Sequence, residues 1–268
     1  MRSISIPEYI KKHLKTDQEH LLEINQIRKD IEQLGRETPL VSVVIPAYNE
    51  QHNILRTLSS LSRTQTAYPV EIIVVDNNST DETRDRVEKS GAIYILEKKK
   101  GVQHARSTGL KEARGTYVVS GDADTIYSPD WVNQLVSPLI HDEQIACVHG
   151  KFAFIPEDRY NRGGFFLYET LGDLYKKINC LFKDPAIYVY GCSSAFRKAQ
   201  AVEVGAYDHP PGSNEDGYLG LKLRNKFGKL VRVSQKKSIA WTSSRKFVTE
   251  GTLIKRVFNK MRRIISLM

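Results

Sequence analysis

Thr116-Tyr117-Val118-Val119-Ser120-Gly121-Asp122-Ala123-Asp124 joins a short apolar run to a pair of carboxylates. The run is β-branched and aromatic and ends at a glycine, which predicts a buried strand over 116–120. Aspartates at i and i+2 of an extended chain point to the same side. At the carboxyl edge of a sheet that side faces a ligand crevice. Paired hard oxygens there suit Mg2+ or Mn2+ carrying a diphosphate. A chain of this composition holds about one Asp-x-Asp by chance, so the surroundings decide what the pair means.

Those surroundings alternate. Strands are predicted at 41–45, 70–75, 92–96 and 116–120, with helices at 50–61, 80–89 and 101–113 between them. Strand and helix in strict alternation imply βαβ units, hence an α/β fold with a mostly parallel central sheet flanked by helices. Beyond Asp124 the pattern loosens. Helices are expected at 129–140, at 160–182 with an interruption near Gly163-Gly164, and at 214–226. Strand-like runs cover 145–154, 189–196, 229–233 and 238–241. Before the first strand, Ile10, Leu14, Leu21, Ile24, Ile31 and Leu34 recur at helical spacing, so 8–34 reads as one amphipathic helix ending at Gly35. It either packs on its own domain or offers a coiled-coil seam.

Length and charge narrow the class. With 268 residues the chain can bury a sizeable core in one domain with appendages. Three widely spaced cysteines, Cys147, Cys180 and Cys192, read as reduced thiols in a cytoplasmic protein, and no signal peptide or membrane span is visible. The net charge of +9 is concentrated at the end: from Lys222 onward fourteen Lys and Arg face one acid, Glu250. Such a basic tail suits an anionic surface, either lipid or nucleic acid.

The strand ends carry the chemistry. Pro46-Ala47-Tyr48-Asn49-Glu50 follows the first strand. It is no Gly-rich phosphate loop, which argues against a dinucleotide fold and a P-loop ATPase. Asp76 leaves the second strand at the same edge as Asp122, where a carboxylate accepts from a base N–H or ribose hydroxyls. Asp81, after Ser79 and Thr80, is a helix cap. Arg106 lies one turn into a helix entered by Gly101 and can aim its guanidinium at a phosphate or base, whereas the lone His104 reads as structural. Glu215-Asp216 opens the apolar-periodic helix at 214–226. Adjacent acids there either complement the helix dipole or supply a general base. The preceding loop, Asp208-His209-Pro210-Pro211-Gly212-Ser213, is placed to close over such a site.

Taken in order, these motifs resemble the inverting glycosyltransferases of family 2, with the GT-A fold. Val43 to Glu50 is similar to the family's opening nucleotide-binding strand and loop, and Val74 to Asp81 to its base-contacting stretch. Gly101 to Gly109, Asp122-Ala123-Asp124, Gly191-Cys192-Ser193-Ser194-Ala195-Phe196-Arg197 and Glu215-Asp216 follow in the family's sequence. The resemblance covers 41–246. It implies that Pro46, Tyr48, Glu50, Asp76, Arg106 and Asp122 bind the nucleotide. Asp124, with Asp122, would hold Mn2+ or Mg2+. Asp216 would be the catalytic base, and Gly191, Ser193, Glu215 and Arg245 would face the acceptor or diphosphate. It also implies a nucleotide-diphosphate sugar donor carrying UDP or GDP, and a glycan or lipid-linked acceptor.

Two departures stand out. Ser107 replaces a commoner Asn. Trp241-Thr242-Ser243-Ser244-Arg245-Lys246 occupies the place where many relatives carry a metal-binding His, so the resemblance leaves open whether a third protein ligand exists. A Gln-x-x-Arg-Trp signature and membrane helices are missing, which points to transfer of single sugars.

The expected organisation is an N-terminal helical segment (1–36), a transferase domain (37–248, its halves 37–125 for nucleotide and 126–248 for acceptor) and a C-terminal basic amphipathic helix (249–268). Leu253, Ile254, Val257, Phe258, Met261, Ile264, Ile265 and Met268 form one stripe of that helix, flanked by Lys and Arg. It would either close the domain core or rest on an anionic membrane face. No nucleic-acid partner is expected. The alternatives are a non-catalytic nucleotide-sugar- or polyanion-binding scaffold and a nucleotidyltransferase; the latter wants a basic Gly-rich loop that the first strand lacks.

Overall fold

A computed structural model describes residues 2–35, 37–157, 161–182 and 184–245. The helix expected at the C-terminus lies outside them. In chain order the helices are α1 (Glu8–Lys11), α2 (Asp17–Leu22), α3 (Ile24–Leu34), α4 (Ile54–Ser62), α5 (Thr83–Ser90), α6 (Val102–Glu112), α7 (Trp131–His141), α8 (Arg162–Asn179), α9 (Lys198–Glu203) and α10 (Glu215–Phe227). The strands are β1 (Val41–Ala47), β2 (Val70–Asp76), β3 (Ile93–Leu96), β4 (Tyr117–Ser120), β5 (Thr125–Ile126), β6 (Ile145–His149), β7 (Phe152–Ile155), β8 (Ser194–Arg197), β9 (Lys229–Arg232) and β10 (Ala240–Ser243).

A seven-stranded sheet runs β3-β2-β1-β4-β8-β6-β9. β3, β2, β1 and β4 are mutually parallel, and β8 is antiparallel to both β4 and β6. Strand order reverses between β1 and β4, so the loops after these two strands splay apart and leave a crevice. α3, α4 and α7 cover one face, with Ile27, Leu58 and Trp131 in a core that includes Ile45 and Val74. α6 and α10 cover the other, bringing Ala105 and Leu223 onto Val44 and Val75. A second sheet, β5-β10-β7, buries Trp241 with Ile10 from α1.

The single N-terminal helix is three helices instead. Thr16 makes a capping box with Glu19 that restarts the chain as α2. Ile27 and Ile31 of α3 are core residues, so the segment packs on its own domain. The run at 145–154 splits at Gly150-Lys151 into β6 and β7, which enter different sheets. A Cβ at Gly150 would meet Ser193 Oγ at 2.3 Å. In 189–196 only Ser194 onward is strand, and α8 starts at Arg162 and runs through Gly163-Gly164 unbroken.

Candidate active site

A cavity of about 730 Å³ opens at the carboxyl ends of β1 and β4. Its wall includes Pro46, Tyr48, Glu50, Arg106, Asp122, Asp124, Gly191, Glu215, Asp216 and Arg245. Ten of the residues singled out above therefore meet around one space, drawn from segments as distant in sequence as β1 and β10.

Each wall element has a local cause. Asn49 takes a left-handed φ of 53°, which asparagine tolerates, and turns the chain after β1. Its side-chain oxygen accepts from Thr80 N–H at 2.8 Å, while Glu50 N–H donates to Thr83 Oγ1 at 2.8 Å. The loops after β1 and β2 are thus laced together, and α4 begins at Ile54, not at Glu50. Asp81 caps the Thr83 N–H at 3.0 Å, as expected of it. Behind Asp122, the Tyr127 hydroxyl accepts from Asp122 N–H at 2.8 Å, and Tyr127 stacks on Trp131 with ring centroids 3.9 Å apart. The Trp131 indole donates to Ser193 Oγ at 3.0 Å. A rigid aromatic brace therefore fixes the carboxylate loop against the 190–193 loop.

Two expected residues stand behind the wall rather than on it. Asp76 is buried, accepting from Ser79 N–H and from Tyr94 Oη, each at 2.9 Å. Its neighbour Asn77 lines the cavity instead and ties down the β3–α6 loop, donating to Lys99 O and accepting from Gly101 N–H, both at 2.8 Å. Ser193 is likewise buried and spent on the brace. Lys100 and Tyr190 are wall residues that sequence reasoning passed over, and Asn77 and Cys192 lay within quoted motifs without a role of their own. Lys100 had a signal, as the last of three lysines before Gly101; Tyr190 had only its place beside Gly191.

The charged centre is Arg106, which is 3% exposed. Its Nη2 donates to Asp122 Oδ1 at 2.8 Å, and its Nε lies 3.5 Å from Asp216 Oδ1. Burial opposes its charge, but Asp216 and Asp122 outweigh burial and hold the guanidinium above its ordinary pKa. Asp216 shows the reverse balance. Burial, with Glu215 and Asp122 adding to it, pushes its carboxyl up to about 7 against the pull of Arg106 and the Gly191 N–H. Arg106 Nε and Nη1 and Asp216 Oδ1 are buried yet make no hydrogen bond among the described residues. Such atoms cost about 1–3 kcal/mol each when left so, which marks a place built for a polar ligand. Gly191 is required here, since a Cβ would meet Arg106 Nη2 at 2.0 Å and Asp216 Oδ2 at 2.4 Å.

Across the cavity, Arg245 grips Glu50 through both terminal nitrogens and lies 3.2 Å from Asp124 Oδ2. Thr242 Oγ1 donates to Asp124 Oδ1 at 3.3 Å. Asp122 and Asp124 fit a hard divalent cation by the chemistry of their oxygens. Among the described residues no three His, Cys, Asp or Glu side chains gather for an ion.

The glycosyl transferase family 2 model matches residues 42–203, more than half of the chain. The probable glycosyltransferase YdaM of Bacillus subtilis is 36% identical over 71% of this chain and 48% of its own length. The UDP-Glc:alpha-D-GlcNAc-diphosphoundecaprenol beta-1,3-glucosyltransferase WfgD of Escherichia coli is 32% identical over 43% of this chain and 47% of its own. The chain thus spans less than half the length of either relative. A structure of the mannosyltransferase PcManGT of Pyrobaculum calidifontis with GDP-Man and Mn2+ superposes with a TM-score of 0.58 at 19% identity, over 96% of this chain and 79% of that one. At that identity the likeness speaks for the fold. The fold, the order of its motifs and the family match agree: the chain belongs to glycosyl transferase family 2 and has the GT-A architecture.

Proposed function

We propose that this protein transfers one sugar from a nucleotide-diphosphate donor to an acceptor hydroxyl with inversion at the anomeric carbon. The observation that carries it is the meeting of Asp122, Asp124, Arg106 and Asp216 around one cavity at the β1/β4 crevice. On this reading 37–125 binds the nucleotide and 126–248 the acceptor, with 1–36 as a helical brace. UDP and GDP are the favoured nucleotides, in keeping with UDP-Glc in the name of WfgD and GDP-Man in the PcManGT complex. A glycan or lipid-linked acceptor is favoured for the same reason, WfgD being named for a diphosphoundecaprenol substrate.

Tyr48, 56% exposed, offers its ring as a platform for the base, with Pro46 and Glu50 beside it and Asp76 setting the adjoining turn from behind. Arg106 and Arg245 supply positive charge toward the diphosphate. Asp122 and Asp124 would hold Mn2+ or Mg2+, which when bound neutralises charge developing on the leaving diphosphate. Asp216 takes the proton of the attacking hydroxyl. A base held near pKa 7 is about half ionised at neutral pH and matches the operating pH better than an ordinary carboxylate does. Gly191 and Glu215 shape the acceptor side of this base, and Ser193 holds that loop in place. Among the described residues no helix is long and apolar enough to cross a membrane. We place the enzyme in the cytoplasm, peripheral to the membrane's inner face.

The test is Asp216→Asn. It is expected to keep donor-induced thermal stabilisation while losing at least about a hundredfold in transfer, the range general bases contribute. Wild-type turnover in that variant would remove the base assignment.

A further inference from the structure

Among the described residues the outward face of α8 carries an apolar seam that nothing covers. Leu167, Leu171, Leu174, Ile178 and Leu181 follow one another at spacings of 4, 3, 4 and 3, which places them along one line of the helix. Past Asn179 the chain continues in tight turns, with Cys180 N–H on Lys176 O and Leu181 N–H on Ile178 O. Leu167, Leu174, Leu181 and Phe182 are 53%, 47%, 78% and 68% exposed. The opposite face is spoken for: Phe165, Glu169, Gly172 and Asn179 are buried. Exposed large apolar side chains in such a row are uncommon unless something covers them.

We propose that this face rests in the interface of an anionic lipid bilayer. The charge pattern selects that occupant. α8 contains two acids, and both are turned inward. Glu169 pairs with Arg162 at 2.7 Å and receives Phe154 N–H. Asp173 pairs with Arg2, Lys151 and Arg232. The outward side keeps Lys177, exposed beside the seam. A second copy laid on this face would bring lysine to lysine with no carboxylate from either helix between them. A lipid surface bearing anionic headgroups accepts the leucines and the lysine together. Tyr168 and Tyr175 border the seam, and tyrosine is a residue type that favours the headgroup boundary.

Through its opposite face the same helix touches the residues beside the cavity. Lys176 Nζ lies 4.5 Å from the centroid of the Tyr190 ring, and Asn179 donates to the Tyr188 hydroxyl at 2.6 Å. Tyr190 is a cavity wall residue. A bilayer on the outward face of α8 would then lie one helix away from the cavity wall to which Tyr190 belongs. This deepens the acceptor side of the proposed function. Because the assay reads binding without turnover, its failure is distinct from failure of the transferase reading.

The full chain is mixed with vesicles of phosphatidylcholine carrying about one third phosphatidylglycerol and sedimented. Wild type is expected in the pellet. Leu174→Glu/Leu181→Glu, which alters only exposed positions, is expected to partition at least about tenfold less. Its urea midpoint and its donor-induced thermal shift are expected to stay at wild-type values. Lys177→Glu alone is expected to weaken binding more at low than at high salt. Equal sedimentation of wild type and the double variant would overturn the proposal, because the tail would then suffice. So would absence of wild-type binding, or a wild-type dimer in solution that the double variant dissolves.

Discussion

Replacing Asp216 by Asn separates what this residue does for chemistry from what it costs the fold. An unfolded Asp216 titrates near its ordinary 3.8, whereas the folded one is pushed up to about 7 by burial. Below pH 4 both states hold the proton and the residue contributes nothing. Between about 4 and 7 the unfolded chain releases its proton while the folded chain keeps it, so unfolding becomes progressively easier as pH rises. Above about 7 the folded carboxylate is ionised too and the full cost is present. About three pH units at 1.36 kcal/mol each set a ceiling on the order of 4 kcal/mol. Asn has nearly the same shape, its carbonyl can still accept from Gly191 N–H, and it does not titrate. Urea unfolding of both proteins across pH 4.5 to 8.5, in chelator, isolates the effect as a difference. The stability of Asp216→Asn relative to wild type should grow by about 3 kcal/mol up to roughly pH 7.5 and then level off. A difference that stays flat over this range, or one complete by about pH 5, would refute the reasoning, since it would mean an ordinary, solvated carboxylate.

Further outcomes follow from the same geometry. In transfer assays kcat/KM should rise with pH as one proton leaves and flatten above about 7; a profile already flat from about pH 5 would contradict a base raised to that value. Gly191→Ala forces a methyl onto Arg106 and Asp216, so it should cost about 1–3 kcal/mol of stability and most of the activity, and a silent variant would mean the loop moves freely. Glu169→Ala leaves the buried Arg162 without its bidentate partner, as well as Arg2 at 3.7 Å, and should destabilise by about 3–5 kcal/mol in urea titration. Arg245→Ala, at a half-exposed position, should weaken donor-induced stabilisation while changing the unfolding midpoint little, and unaltered donor binding would remove Arg245 from the diphosphate site.

The nucleotide half of the fold was legible because its two central strands are short, β-branched and buried at every position but Pro46, as in Val41 to Ala47 and Val70 to Asp76. Parallel strands covered on both faces leave little else for such runs to be. The strand-end loops were legible as a group because one sheet edge collects them. What sequence could not show were partners distant in the chain. Asp76 looked free, but Tyr94 on the neighbouring strand claims one oxygen. Ser193 looked like a ligand, but Trp131 uses its hydroxyl. The run at 145–154 alternated like a single strand, but it divides between two sheets at Gly150, where a Cβ would meet Ser193 across the fold. The break before α2 did have a local signature, the Thr16-x-x-Glu19 box, which the longer apolar period masked.

The most direct test of the central claim is thermal stabilisation of the full chain by UDP-, GDP- and dTDP-sugars, with and without Mn2+, in wild type and Asp124→Asn. Ligand that binds the folded state raises its apparent stability, by about 2.7 kcal/mol at one hundred times Kd. The account predicts a Mn2+-dependent shift with one nucleotide class, lost in Asp124→Asn. No shift with any donor, or a shift that Asp124→Asn retains in full, would contradict it.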